Sequence, residues 1–179
     1  MIMSKVRLAT VWMDGCSGCH MSLLDMDERL IDVLAHVDLV YSPLVDNKVY
    51  PENVDVVLIE GAVSSEEDVV KIHKIRAHSK YLISLGDCAV TSNVPGMRNR
   101  FKMEDVENRA YIENAQRNQH VPRNVIPRML PHSRPVQEYV KVDLSIPGCP
   151  PEADVIHFVL TELLAGRIPD LAGKTHFGA

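Results

Sequence analysis

Val54-Asp55-Val56-Val57-Leu58-Ile59 carries one charged residue in six. A strand covered on one face only would alternate apolar and polar residues. This one is nearly continuously apolar, as expected of a parallel strand buried on both faces. Reading outward, Lys5-Val6-Arg7-Leu8-Ala9-Thr10-Val11-Trp12 begins as an alternating strand and turns mostly apolar. Leu39-Val40-Tyr41 is a short second strand. Tyr81-Leu82-Ile83-Ser84-Leu85 is the fourth, stopped by Gly86, and Tyr139-Val140-Lys141-Val142-Asp143-Leu144 is the fifth.

Helical patterns lie between these strands. Leu23, Met26, Leu30 and Leu34, with Ile31 beside them, form one apolar stripe. Ser64 with Glu67 three residues later reads as a capping box, opening a helix that runs to about Ser79. After the fifth strand, Pro147-Gly148-Cys149-Pro150-Pro151 opens a last helix, lined by Ile156, Val159, Leu160, Leu163 and Leu164 and ended by Gly166. Strands alternating with helices predict an α/β fold: a flavodoxin-like, doubly wound parallel sheet covered on both faces. One domain over residues 1–179 is expected.

The chain has 179 residues, 46% hydrophobic and 24% charged, the balance of a globular protein. The net charge of −5 argues against a nucleic-acid partner. Aromatic residues are 5%, so stacking platforms for bases or sugars are scarce. No apolar run approaches the roughly 18 residues of a membrane span. The N-terminus Met1-Ile2-Met3-Ser4-Lys5-Val6-Arg7 has no twin Arg and no export-type apolar run, so a cytoplasmic location without a membrane is expected.

Residues 92–138 break the pattern. They hold seven of the eleven Arg, six of the eight Asn and five of the eleven Pro, although Met103 to Gln116 has the pattern of a helix. A connection this long is a solvated excursion or, since Arg is favoured at interfaces, a docking surface for another subunit.

Four cysteines carry the chemistry. Cys16 and Cys19 follow the first strand, Cys88 the fourth and Cys149 the fifth. In a parallel sheet these loops leave one carboxyl edge, where ligands bind at the point of strand-order reversal. In a reducing compartment disulfides are rare. Four converging thiolates suit an iron–sulfur cluster or a tetrahedral zinc. Only one pair is local, whereas structural zinc usually takes two such pairs. A redox pair would use Cys16 and Cys19 and leave Cys88 and Cys149 idle. Inert thiols are the remaining reading. The glycines at 15, 18, 86 and 148 let backbone N–H groups approach cluster sulfurs.

Trp12-Met13-Asp14-Gly15-Cys16-Ser17-Gly18-Cys19-His20, Glu60-Gly61-Ala62-Val63, Gly86-Asp87-Cys88-Ala89 and Pro147-Gly148-Cys149-Pro150-Pro151, in this order, resemble the small subunit of [NiFe] hydrogenases. The nearest likeness is to the soluble, cytoplasmic NAD-reducing type. The resemblance implies that Cys16, Cys19, Cys88 and Cys149 ligate the proximal [4Fe–4S] cluster. It places the nickel–iron centre on a separate large subunit, and further clusters, FMN and NAD on a diaphorase module. Export-type members add a C-terminal domain with two more clusters; here no cysteine follows Cys149, so one cluster is expected. The related quinone-reductase subunit of respiratory complex I has adjacent cysteines where this chain has Cys16-Ser17-Gly18-Cys19. Membrane-bound energy-converting hydrogenases have short small subunits too. Outside these classes stands a zinc-stabilised α/β binding protein.

Other residues are weighed one by one. Glu60 ends the third strand at the ligand edge, as a cluster neighbour, a proton relay or a loop cap. His20 reads as a helix-surface residue or a donor to a cluster sulfur. Asp14 and Asp87 read as turn residues. An FMN on this chain would need a phosphate site; Ser64 and Ser65 at a helix start are candidates, though ordinary capping explains them.

Overall fold

The computed structural model describes residues 5–178. The elements begin with β1 (Val6–Trp12), α1 (Gly18–Leu24), α2 (Glu28–His36) and β2 (Val37–Tyr41). They continue with β3 (Val54–Glu60), β4 (Val63–Ser65), α3 (Glu66–Ala77), β5 (Ser79–Leu85), α4 (Asp87–Thr91) and α5 (Asn93–Gly96). The chain closes with α6 (Met103–Asn108), β6 (Met129–Arg134), β7 (Leu144–Ile146) and α7 (Ala153–Leu164). Five strands form one sheet in the order β2-β1-β3-β5-β7, every pair parallel. This is the doubly wound, flavodoxin-like order, with its reversal between β1 and β3.

The apolar run of β3 serves both faces of the sheet. Val56 and Leu58 join Leu8, Ile83, Leu85 and Ile146 in a core covered by Leu23, Met26, Val33, Ile156, Val159 and Leu160 of the α1, α2 and α7 region. Val57 and Ile59 join Ala9, Val11 and Leu82 in a second core, under Ile72 and Ile75 of α3. Burying each such side chain contributes about 1.5–3 kcal/mol. A strand with a polar face could not fill either layer.

The predicted 23–34 stripe is corrected. The helix breaks at Asp25–Asp27, where Asp27 takes φ 52°. The break turns the second segment so that Val33 is buried while Ile31 and Leu34 are exposed. The cap of α3 lies one residue on from expectation. The Ser65 hydroxyl accepts from the Asp68 backbone N–H at 3.1 Å, and the Asp68 carboxylate accepts from the Ser65 N–H at 2.9 Å. The last helix starts at Ala153, two residues past the Pro pair.

The fifth strand is also shorter than expected. Ladder pairing is confined to Leu144–Ile146. Ahead of it, the Asp143 N–H donates to the Leu82 carbonyl at 2.9 Å, and the Asp143 carboxylate accepts from the Leu82 N–H at 2.8 Å. A side chain thus substitutes for a rung of the sheet. The apolar alternation at 139–142 reflects packing instead: Val140 is buried in the second core, with Tyr139 and Val142 against it.

Arg76 completes this corner. Its guanidinium holds Asp143 at 2.6 Å and donates to the carbonyls of Ser79 and Lys80 at 2.6 and 2.9 Å. Burial pushes the Asp143 carboxyl up, but the Leu82 N–H and the Arg76 guanidinium outweigh it and hold the group below its ordinary range. A depressed carboxyl stabilises the fold above its unfolded pKa, near 4, and that stability is lost as pH falls through the folded value. Arg76→Leu is therefore expected to cost about 1–3 kcal/mol at pH 7. The difference from the unaltered chain should shrink at pH 3, as read from urea midpoints.

Residues 92–138 are structured rather than irregular. α6 falls within the helix expected there and continues as a turn of π-helix over Arg109–Glu113. β6 pairs antiparallel with β4. The Asn99 side chain donates to the Ser133 carbonyl and accepts from its N–H, both at 2.8 Å, copying a strand partner. Arg98 donates to the carbonyls of Leu130 and Ser64 at 3.0 and 3.3 Å.

Candidate metal centre

The β1–α1 loop starts the site. Ser17 takes φ 65° and makes no side-chain cap, so the first N–H groups of α1 need another acceptor. Glu60, at the end of β3, supplies it. Its carboxylate accepts from the Cys19 and His20 N–H groups at 3.4 and 3.0 Å. The adjacent Gly61 has φ 90°, and a Cβ there would lie 2.8 Å from the Asp14 carbonyl oxygen. Only glycine lets the two loops come this close. Asp14 and Ala62 then exchange backbone bonds of 3.1 and 2.8 Å, so Asp14 bridges two loops as well as turning one.

His20 is buried, which corrects the helix-surface expectation. Its Nδ1 is hydrogen-bonded to Glu60, and its Nε2 lies 3.0 Å from Thr10 Oγ1. Thr10 donates on to Ser42 at 2.8 Å. Glu60 is thus a loop cap tied into a buried polar chain.

The four cysteines meet at the carboxyl edge of the sheet. Cys16 is exposed and Cys19 buried; Cys88 and Cys149 are half-buried, and all four are free thiols. Burial pushes the Cys19 thiol up, followed by the Glu60 carboxylate and then by Cys88, Cys16 and Cys149. Burial also raises Cys88; the Val94 N–H pulls it the other way, and Cys149, Cys16 and Glu60 add to the rise. Cys19 and Cys88 thus both lie near Cys16 and Cys149. Thiolates gathered this way repel one another and call for a positive centre among them. Among the described residues, no three His, Cys, Asp or Glu side chains form a group tight enough for a single metal ion.

Glycine and N–H donors complete the surroundings. Gly86, between β5 and α4, has φ 82°, and a Cβ there would sit 2.2 Å from Cys19 Sγ. The Gly18 N–H donates to Cys16 Sγ at 3.4 Å, and the Asn93 amide to Cys149 Sγ at 3.5 Å. Such donors stabilise charge on sulfur and fit a thiolate-bound metal group. Asn93 and Val94 were not foreseen as site residues. They open the Asn-rich stretch, and nothing in its composition separates them from the rest. Ser64 and Ser65 serve elsewhere: Ser65 caps α3, and Ser64 Oγ bonds Ser133 Oγ at 2.7 Å. Neither hydroxyl is aimed at a phosphate.

The family model described as NADH ubiquinone oxidoreductase, 20 Kd subunit, matches residues 16–163, from the first cysteine through most of the last helix. The chain belongs to this family. It is 42% identical, over 93% of its own length and 82% of the relative's, to the NAD-reducing hydrogenase HoxS subunit delta of Cupriavidus necator. It is 39% identical to one subunit of the F420-non-reducing hydrogenase vhu of Methanocaldococcus jannaschii, over 97% of this chain and 61% of that one. The chain thus spans about three-fifths of that relative's length. Its structure overlays a chain of an NAD⁺-reducing [NiFe]-hydrogenase in the H₂-reduced state with TM-score 0.93, 36% identity and coverage of 97% and 99%. A [NiFeSe]-hydrogenase from Dm. baculatum, 17% identical with TM-score 0.61, shares the fold. The likeness to NAD-reducing [NiFe] hydrogenase carried by the four motifs is borne out, as is the α/β fold. Among the described residues, no helix is long and apolar enough to cross a membrane.

Proposed function

We propose that this chain is the electron-transfer small subunit of a cytoplasmic [NiFe] hydrogenase. Cys16, Cys19, Cys88 and Cys149 bind one [4Fe–4S] cluster, which when bound accepts and releases single electrons. These pass between the nickel–iron site of a large subunit and a diaphorase module that reduces NAD. The observation carrying the reading is that four thiols from the loops after β1, β5 and β7 gather at one edge of the sheet, with Gly86 leaving room for Cys19 Sγ.

This chain's residues hold and shape the site. Cys19 sits deepest, fixed by the Glu60 carboxylate through the start of α1. Gly18, Asn93 and Val94 donate to three of the sulfurs, which favours the more negative, reduced state. The buried loops exclude water on the side of the sheet, while Cys16 faces outward. The quinone-reductase reading shares the family model. The spaced Cys16-Ser17-Gly18-Cys19 pair and the 42% identity to a hydrogenase subunit favour hydrogenase.

The visible spectrum of the anaerobically purified protein tests the reading. Broad absorbance near roughly 400 nm, bleached by dithionite, is expected of iron–sulfur sites. A colourless protein with one zinc would overturn it. The segment 92–138 is the docking surface for the large subunit: Val94, whose N–H reaches Cys88, is exposed, as are Met97 and Phe101 after it. Hydrogen exchange there should slow when the large subunit binds. Unchanged exchange across the whole segment would leave it a solvated excursion.

A further inference from the structure

Asp87 reads as a turn residue in the sequence, but its contacts go further. It is buried, at the first position of α4, directly before Cys88. One carboxylate oxygen accepts from the Gly148 N–H at 2.7 Å. The other accepts from the Gly178 N–H at 2.8 Å. The Asp87 N–H donates back to the Gly148 carbonyl at 2.9 Å. The Cys149 N–H in turn donates to the Gly178 carbonyl at 2.8 Å. Among the described residues no cation pairs with this carboxylate; backbone N–H groups satisfy both its oxygens.

These bonds close a ring through three segments distant in sequence. The Cys88 turn, the Cys149 loop and the strap of residues 171–178 meet at one side chain. The strap is held from outside as well, by Lys174 Nζ lying 4.7 Å over the Phe158 ring. We propose that Asp87 is a positioning residue that locks the strap across the Cys149 loop and so fixes Cys149 as the fourth ligand. Neither Asn nor Glu reproduces this. Asn offers one acceptor oxygen and a donor that faces an N–H. Glu places its oxygens one methylene too far.

The inference rests on the four-cysteine cluster reading. It is tested on the anaerobically purified holoprotein in four forms: unaltered, Asp87→Asn, Asp87→Ala, and a chain ended at Lys174. Iron release to a chelator is followed optically, and the reduced cluster by electron paramagnetic resonance. Loss of a supporting bond around metal ligands typically costs about 10- to 100-fold. Iron release should quicken by about that much in Asp87→Ala and in the shortened chain, and less in Asp87→Asn. The g-values should shift in the two chains that retain Asp87 or its isostere, while their circular dichroism stays unchanged. A general loss of stability would leave the g-values of the remaining cluster in place. If Asp87→Ala fails to fold, Asp87→Asn and the shortened chain decide. Unaltered release and g-values in both would overturn the clasp. Absence of iron from the unaltered protein would instead sink the cluster reading itself.

Discussion

Gly86→Ala is expected to strip the iron from this chain as thoroughly as Cys88→Ser. The two substitutions act from opposite sides of one constraint. Cys88→Ser removes one of four thiolates and leaves a hydroxyl that is not ionised at neutral pH. Gly86→Ala removes no ligand. It adds a methyl group 2.2 Å from Cys19 Sγ, at a backbone φ of 82° that already disfavours a side chain. The strained backbone alone costs about 1–3 kcal/mol. The overlap is relieved only if Cys19 swings off the site or the β5–α4 turn moves, and that turn also carries Cys88. Iron and acid-labile sulfide, measured per chain, should fall by about tenfold or more in both variants. Full iron in Gly86→Ala would mean that Cys19 is not held where the cluster reading needs it. Full iron in Cys88→Ser would remove Cys88 from the ligand set.

The second large effect separates one-electron from two-electron chemistry. NAD⁺ takes a hydride, two electrons together. A single cluster passes electrons one at a time, so a flavin must collect the pair. Under hydrogen, the heterodimer of this chain with its large subunit is expected to reduce a viologen dye, and to leave NAD⁺ unreduced until the diaphorase subunits are added. Both reactions are followed optically. Reduction of NAD⁺ by the flavin-free heterodimer would overturn the single-cluster relay. A dye that stayed oxidised beside an intact nickel–iron centre would show that electrons leave elsewhere.

The fold was legible where burial alone determines pattern. β3 and β5 are covered on both faces, so their residues are apolar and their limits readable. β7 was misplaced because Asp143 and Arg76 do through side chains what a ladder does through backbone, leaving an alternating pattern without a strand. The break at Asp27 was hidden because apolar periodicity runs on through it. The meeting of the cysteines was legible from topology, since loops after parallel strands share an edge. The supports of that site were legible only in part. Glu60 was readable as a loop cap at the ligand edge, but the Asp87 carboxylate accepts from the N–H groups of Gly148 and Gly178, far away in sequence, and no local spacing records such a partner. His20 looked like a surface residue because its partners, Glu60 and Thr10, lie on two different strands.

The placement of the four cysteines after β1, β5 and β7 bears on how the protein matures. These strands are not all neighbours: β3 stands between β1 and β5. No fragment of the chain can gather three ligands before the sheet has closed around β3. On the cluster reading, iron and sulfide therefore enter a domain that is already folded, and they enter from the open edge. Cys16, the exposed thiol, faces that edge, while Cys19 is buried. A nascent chain stalled before Ser145 would carry three of the four thiols and lack both the last strand and the loop that holds Cys149, so on the cluster reading delivery waits for that strand and loop to emerge.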